Sequence, residues 1–544
     1  MFFADPPNRP GLLVILLAVA VFAILSPCLR SGFFEHWDDG RHLLENPHVR
    51  SLAPENIIRI FRSTVNSIYI PLTVFSFALE YHFFGFDPFV YHLNNLLLHL
   101  ATALGVFFLA RRLGFPFWAA WLGGLLWGIH PMRVESVAWI TERKDVLYGF
   151  LYVAALWVYA DYIRSKRAVL FWVSVGLGCL SMLAKPMALS LPLILLLLDW
   201  YARRPWGYRV WMEKAAHLFY VVPLTWLTYS HFVRNPVRYL DQAFLTWIWT
   251  FIFYLRKFFI PLILVPDYYI PQPVSLAHHE YGVAVLIFFL LLGLIWRFRS
   301  DRNLVFGFLF YAGSIFFLLR FDIREDYCFV ADRFMYLPSL GICLWLGGKI
   351  HAFMRRDGPL SFRAAGYVAL GLLFAALGVK AYRQAGLWND GLTLWDHTIS
   401  RNPQSYVGYV NRGCIYSDQK KKDLALTEFE KATQLYPHVA KGWYDRGNIL
   451  KELARWHEAL ACYNKALNIE PDYVKVYNNR ALVHRRLGRY NLAIRDFSTA
   501  IELQPDKAGT YFNRGLIYRE LGFEDKAQAD FQRARQASHA KAEE

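Results

Sequence analysis

The stretch Gly11 to Arg41, GLLVILLAVAVFAILSPCLRSGFFEHWDDGR, decides how the chain is read. Its first part, Gly11 to Leu29, is almost wholly apolar. A helix needs roughly 20 such residues to cross a bilayer core. The run is long, has only Arg9 as a basic flank and lacks an A-x-A cleavage site, so it reads as a retained first span rather than a signal peptide. A polar loop, Glu35 to Arg41, follows. Adjacent carboxylates such as Asp38 and Asp39 are costly at a membrane surface unless they bind something. They can ligate a hard divalent cation through their oxygens, or one can take a proton from a hydroxyl. The plain alternative is a solvated loop with two surface acids.

The rest of the chain fits a membrane frame around this loop. Of 544 residues, 56% are hydrophobic and 17% aromatic, only 19% are charged, and the mean hydropathy is +0.23. That profile suits a polytopic membrane protein better than a soluble one. Ten further apolar segments lie at about 89–110, 116–130, 146–163, 168–184, 186–200, 215–231, 281–297, 303–319, 336–352 and 364–381, giving about eleven spans. Short basic clusters choose the orientation: Arg111-Arg112, Arg164 to Arg167, Arg203 to Lys214, Arg297 to Arg302, and Arg355 to Arg363. The positive-inside rule puts these in the cytoplasm, with the N-terminus. The Asp38-Asp39 loop, residues 131–145 and 320–335, and the C-terminal region then face the other side. Phe244 to Val265, with Arg256-Lys257 and Pro261 inside it, reads as a broken or re-entrant helix. Tyr69 to Phe86 reads as an interfacial one. The formal charge of +16 points to cytoplasmic loops and anionic headgroups rather than nucleic acid, because the basic residues are scattered among the spans. Six cysteines without a C-x-x-C pair give neither a disulfide framework nor a zinc site.

Composition changes near Gln384, so the chain divides into a multi-span domain over 1–384 and a soluble helical domain over 385–544. In the second, Pro403, Pro437, Pro471 and Pro505 recur every 34 residues. Asn411-Arg412-Gly413, Asp445-Arg446-Gly447, Asn479-Arg480-Ala481 and Asn513-Arg514-Gly515 keep the same step, as do Ala425, Ala459, Ala493 and Ala527. Phe429, Tyr463, Phe497 and Phe531 do so as well. This is the tetratricopeptide signature, with repeats at about 406–439, 440–473, 474–507 and 508–541. Small residues let the paired helices approach, aromatics fill the gap, and four repeats suffice to stack a continuous core. The fold expected is all-α: a membrane helical domain followed by an α-solenoid. Asn411, Asp445, Asn479 and Asn513 share one phase on the first helix of each repeat. They are expected to form a ladder along the concave groove that holds an extended protein acceptor or partner, since an amide both donates and accepts.

The outer loops carry further polar residues: His130, Glu135, Arg143, Lys144 and Asp145 in the second, Lys185 at a turn, and Asp332 and Arg333 before a span, in a loop shared with Asp322, Glu325 and Asp326. Several stretches together resemble the family of transmembrane and tetratricopeptide-repeat proteins typified by the animal TMTC proteins, and more closely its bacterial relatives. They are Trp37-Asp38-Asp39 with Asn46-Pro47-His48-Val49, Pro71-Leu72-Thr73, Tyr91-His92-Leu93-Asn94-Asn95, His130-Pro131, Glu135-Ser136-Val137-Ala138, Arg143 to Leu147, Lys185-Pro186 and Ala331 to Ser339. This chain has Lys185-Pro186 where the animal members have Lys-Glu, and Asp332 where they have Glu.

The resemblance implies a C-type (GT-C) membrane glycosyltransferase fold whose acidic pair in the first outer loop, here Asp38 and Asp39, is catalytic. The donor it implies is a sugar on a polyprenyl phosphate, and the animal members are similar to protein O-mannosyltransferases. On this reading Asp38 or Asp39 deprotonates the acceptor hydroxyl or holds a divalent cation. Arg143, Lys144, Lys185 and Arg333 neutralise the lipid phosphate, and His130, Glu135 and Asp145 support them. Rival readings are a ligase moving a whole lipid-linked glycan onto its acceptor, and a non-catalytic anchor presenting the repeats to an envelope assembly. The expected location is a bacterial inner membrane, with the repeats extracytoplasmic.

Overall fold

A computed structural model describes residues 9–66, 68–230, 240–318, 330–356 and 359–543. Asp322, Glu325 and Asp326 lie outside the described residues. Contacts divide the chain into two units, Met1–His397 and Thr398–Glu544. The helix Leu360–Gly386 runs through the composition change at Gln384, and the division falls later, within the short helix Gly391–Arg401. Both units are helical, and among the described residues the only β-type pairing is an isolated bridge between Val65 and Ile68.

In the first unit a helix stands at each of the expected spans. Five segments are long and apolar enough to cross a bilayer by length and composition: Pro10–Arg30, Pro88–Arg112, Ile140–Ser165, His279–Arg297 and Arg363–Gly386. Phe117–Ile129, Ala168–Ala184, Pro186–Tyr201 and Ser339–Met354 are apolar but shorter. The helix Leu240–Phe259 ends just before Ile260-Pro261 and is followed by irregular backbone. That agrees with proline lacking an N–H and disfavouring a helical residue before it. Pro71–Phe84 is a short helix closed by Gly85 at φ +62°.

Pro88–Arg112 packs along Arg143–Ser165, and Phe117–Ile129 packs along Ser339–Met354. The second pair is close because it is built on glycine. A Cβ added at Gly347 would press on the carbonyl oxygen of Ala119 and lie 2.7 Å from the backbone nitrogen of Gly123. Small residues at such crossings let backbones approach, which drives helix packing in lipid, where apolar burial gains nothing. The opposite edge of Ser339–Met354 makes a second close crossing: a Cβ at Gly341 would lie 2.8 Å from the carbonyl oxygen of Gly307.

The second unit is a stack of helix pairs: Tyr406–Asp418 with Lys422–Leu435, Ala440–Glu452 with Trp456–Ile469, Val474–Arg486 with Tyr490–Leu503, and Ala508–Glu520 with Glu524–Glu543. The small-residue phase works as the period implies. Gly413 faces the ring of Phe429, Gly447 that of Tyr463 and Gly515 that of Phe531, each so near that a Cβ would collide with it. The arginine beside it joins the helices. Arg412, Arg480 and Arg514 fork onto Glu428, Asp496 and Asp530, each 16 residues on, with N–O distances of 2.7–3.0 Å. In the second repeat that partner position is Cys462, and Arg446 turns back to Glu430 at 2.9 Å.

The expected amide ladder is corrected at three of its positions. Asn411 is buried and donates to the carbonyl of Val407 in its own helix at 2.8 Å. Asp445 accepts from Lys441 at 2.6 Å. Asn479 donates to Asn448 and the hydroxyl of Tyr444 at 2.8 and 3.1 Å. An amide committed inside the solenoid is not free for a peptide backbone. Asn513 is half-buried.

Candidate active site

The acidic loop is bent by a turn that only glycine fits: a Cβ on Gly40 would overlap the carbonyl oxygen of Glu35. The bend sends the two neighbouring acids to different environments. Asp39 is fully buried, and its two oxygens accept the backbone N–H groups of Phe34 at 2.9 Å and Thr141 at 3.1 Å. It therefore clips the first loop to the second. Burial pushes its carboxyl up to about 6, against the two amides that favour the ionised form. The Asp38 side chain is one-third exposed, with the ammonium of Lys144 3.9 Å away. Trp37 stacks on Trp139 at a centroid distance of 3.6 Å, with Trp388 and Trp395 against the same ring. This indole cluster holds the loop in place.

Two of the arguments for a base point to different acids. A carboxyl near pH 6 is better matched to proton abstraction, which favours Asp39. Geometry comes first, however: Asp39 has no exposed surface and both its oxygens are engaged, whereas Asp38 is open. A divalent cation shared by the pair does not fit either. Each oxygen of Asp39 already faces the positive end of an N–H dipole, and among the described residues no group of three or more His, Cys, Asp or Glu comes together to hold a metal ion.

Behind Asp38 lies a buried ionic cluster centred on Glu142, whose side chain is 1% exposed. Lys144 lies 3.1 Å from it, Arg333 3.3 Å and Lys185 3.4 Å. Each cation also has a second acid: Asp38 for Lys144, Asp145 for Lys185 and Glu135 for Arg333. Glu135 accepts the backbone N–H of Arg333 at 3.0 Å as well, and Asp145 accepts from Ser136 at 3.2 Å. Lys144, Lys185, Arg333, Glu135 and Asp145, from three separate stretches of chain, are thus brought together. Arg333 and Lys144 both lie over the Trp139 ring, 5.3 Å and 5.8 Å from its centroid.

Arg143 is a correction. It is 2% exposed, and its guanidinium is spent on Asn95, Glu80 and the carbonyl of Tyr91, so it has no face for a lipid phosphate. Its role is to tie Pro88–Arg112 and Pro71–Phe84 to the start of its own helix. His130 is likewise a fixed piece. Its Nε2 bonds the carbonyl of Phe258 at 2.9 Å, its Nδ1 accepts from Met132, and burial lowers it to about 3. Uncharged at neutral pH, with Nε2–H donated to the Phe258 carbonyl and Nδ1 accepting from Met132, the imidazole braces the loop. Asp332 faces away from its neighbour Arg333: both its oxygens accept from the hydroxyl of Tyr268 at 2.7–2.8 Å, and burial raises it to about 8. The sequence reading missed Glu142 and Trp139. The signal for Glu142 was the run Glu142-Arg143-Lys144-Asp145 opening an apolar helix, because four charges entering a membrane helix must pair with something.

Comparison with known proteins agrees with both halves of the chain. The model described as "TPR repeat" matches residues 447–488, and models described as tetratricopeptide repeat match 407–439, 474–507 and 508–535. A Caenorhabditis elegans protein O-mannosyl-transferase is 25% identical over 78% of this chain and 63% of its own length. The Homo sapiens protein O-mannosyl-transferase TMTC4 is 24% identical over 77% and 66%, and Drosophila melanogaster Tmtc3 is 22% identical over 79% and 56%. The chain thus spans 56–66% of the length of these curated relatives. Among solved structures, that of MamA is 20% identical, covering 30% of this chain and 96% of its own at a TM-score of 0.28. Over more than three-quarters of its length, with tetratricopeptide repeats after an apolar helical region, the chain resembles the TMTC family of protein O-mannosyl-transferases.

Proposed function

We propose that this protein is a membrane glycosyltransferase of the GT-C type that moves a sugar from a polyprenyl-phosphate donor to an acceptor hydroxyl, in protein O-glycosylation. The observation that carries the reading is Asp38, the open member of the acidic pair, beside a preassembled cluster of three cations. Asp38 takes the proton of the acceptor hydroxyl as the oxygen attacks the anomeric carbon. The bond from that carbon to the phosphate oxygen breaks, and Lys144, Lys185 and Arg333 receive the charge that develops on the leaving phosphate. The N-terminus is cytoplasmic, the site and the repeats lie on the outer side of a bacterial inner membrane, and the repeats engage the protein acceptor or a partner.

The test is transfer by the purified chain in detergent with labelled polyprenyl-phosphate monosaccharides and lipid-linked oligosaccharides as donors. Single-sugar label on serine or threonine of an acceptor protein supports the proposal. Transfer of a whole glycan makes the protein a ligase, and no transfer with any donor leaves a scaffold. The same assay grades the phosphate contact. A guanidinium forks two bonds to a phosphate, whereas an ammonium acts as a point charge. Arg333→Lys therefore raises the donor KM about tenfold or more, the order of one lost charge-assisted bond, and leaves the acceptor KM unchanged. Equal loss on both substrates would make Arg333 only the structural partner of Glu135.

A further inference from the structure

The cation cluster has an anion at its centre that the proposed reaction does not consume. Glu142 lies within 3.4 Å of all three cations, and each of these also pairs with a second acid. Asp38 lies in the first loop, and Glu135 and Asp145 at separate positions in the second, so without the centre each cation would settle on its own second acid. Three like charges do not stay close together in a dry site unless a counter-charge holds them. The arrangement also leaves bonding capacity unused. Among the described residues the Oε1 of Glu142 makes no hydrogen bond although Lys144 and Arg333 are ion-paired to it, so those contacts do not spend N–H donors in good geometry. The indole N–H of Trp139, buried beneath the same two cations, has no acceptor among the described residues. The most exposed members are Asp38 and Arg333, so the cluster opens on the side of the base.

We propose that Glu142 is a positioning residue: it holds Lys144, Lys185 and Arg333 together as one preformed site for the phosphate of a polyprenyl phosphate, without touching the lipid itself. This rests on the glycosyltransferase reading above. A competing role is conceivable on charge alone. If Glu142 merely occupied the cations in the way a ligand would, neutralising it would leave the site more positive and tighten phosphate binding. Positioning demands the opposite sign.

The probe is farnesyl phosphate, titrated calorimetrically into the full chain in detergent. Glu142→Gln is expected to bind it at least tenfold more weakly than wild type. In the transfer assay it should raise the donor KM by a similar factor, with the acceptor KM unchanged. Glu142→Asp keeps the charge but is one methylene too short to reach all three cations, so it should fall between the two. If thermal melting shows Glu142→Gln unfolded, Glu142→Asp alone decides. Binding equal to or tighter than wild type in a folded variant overturns the proposal, as does an equal rise in both KM values. Wild-type binding with normal transfer by Asp38→Asn would instead strike the reading of the base and leave Glu142 in place. No binding by wild type overturns both.

Discussion

Asp38→Asn lowers the rate of sugar transfer about a hundredfold or more, the scale of a missing general base, while its melting temperature stays at the wild-type value. The fold is spared because the side chain is one-third exposed and its one ionic contact is the long one to Lys144. Asp39→Asn gives the reverse signature. Its carboxylate accepts from two backbone amides, of Phe34 and Thr141, in a fully buried place. An asparagine offers one oxygen and one NH2, so one amide must face another donor. An unsatisfied buried donor costs about 1–3 kcal/mol, and the loss appears in thermal melting. The two variants also separate in pH. Burial raises the Asp39 carboxyl to about 6, above its unfolded value, so the stability it contributes is fully present below that unfolded value and is lost as pH rises through 6. Asp39→Asn should remove that part of the slope, and Asp38→Asn should keep it. Wild-type turnover by Asp38→Asn with a defined donor would remove Asp38 from the chemistry.

Gly347→Ala destabilises the membrane unit by about 1–3 kcal/mol, the usual cost of overpacking, and Gly347→Leu does not give a monodisperse protein. The added carbon meets backbone, the carbonyl of Ala119 and the nitrogen of Gly123, which cannot rotate away as a side chain can. The helix Ser339–Met354 must then move off Phe117–Ile129. Its other edge is already in contact at Gly341 and Gly307, so it has nowhere to go. The turn carrying Arg333 leads directly into this helix, so activity falls along with stability. Gly348→Ala is the internal control. Its Cβ would find nothing nearer than 3.6 Å, the edge of the Phe115 ring, and thermal stability should be unchanged. Equal effects at Gly347 and Gly348 would mean that helix propensity, not the crossing, sets the cost.

The repeat arm illustrates how far a period reads. The 34-residue step located every helix pair, and the glycine and aromatic phases met across the three pairs that carry a glycine, as the spacing implies. Within the same three-residue signature the sequence reading chose the asparagine as the interacting residue. The structure gives the joining role to the arginine beside it, through the acid 16 residues later. That pairing was visible in spacing as well. Arg412, Arg480 and Arg514 each have an acid at that distance, and the exception, Cys462, is where Arg446 pairs elsewhere.

What the sequence by itself determined was the all-α architecture, the apolar helices, the repeats and the set of outer-loop residues worth examining. Each of these follows from local composition or a fixed period, which a single chain carries in full. The tertiary structure alone decided which of two adjacent aspartates is open, that Arg143 is spent on Glu80 while Lys144 beside it joins the cation cluster, and that Glu142 is the centre of that cluster. Neighbours in sequence share composition but point in different directions. Their directions are set by a turn at Gly40 and by partners such as Thr141, 102 residues from Asp39, and Arg333, still farther along the chain. At this site burial and charge pairing are properties of that three-dimensional neighbourhood, and outside the repeats no fixed period along the chain encodes them.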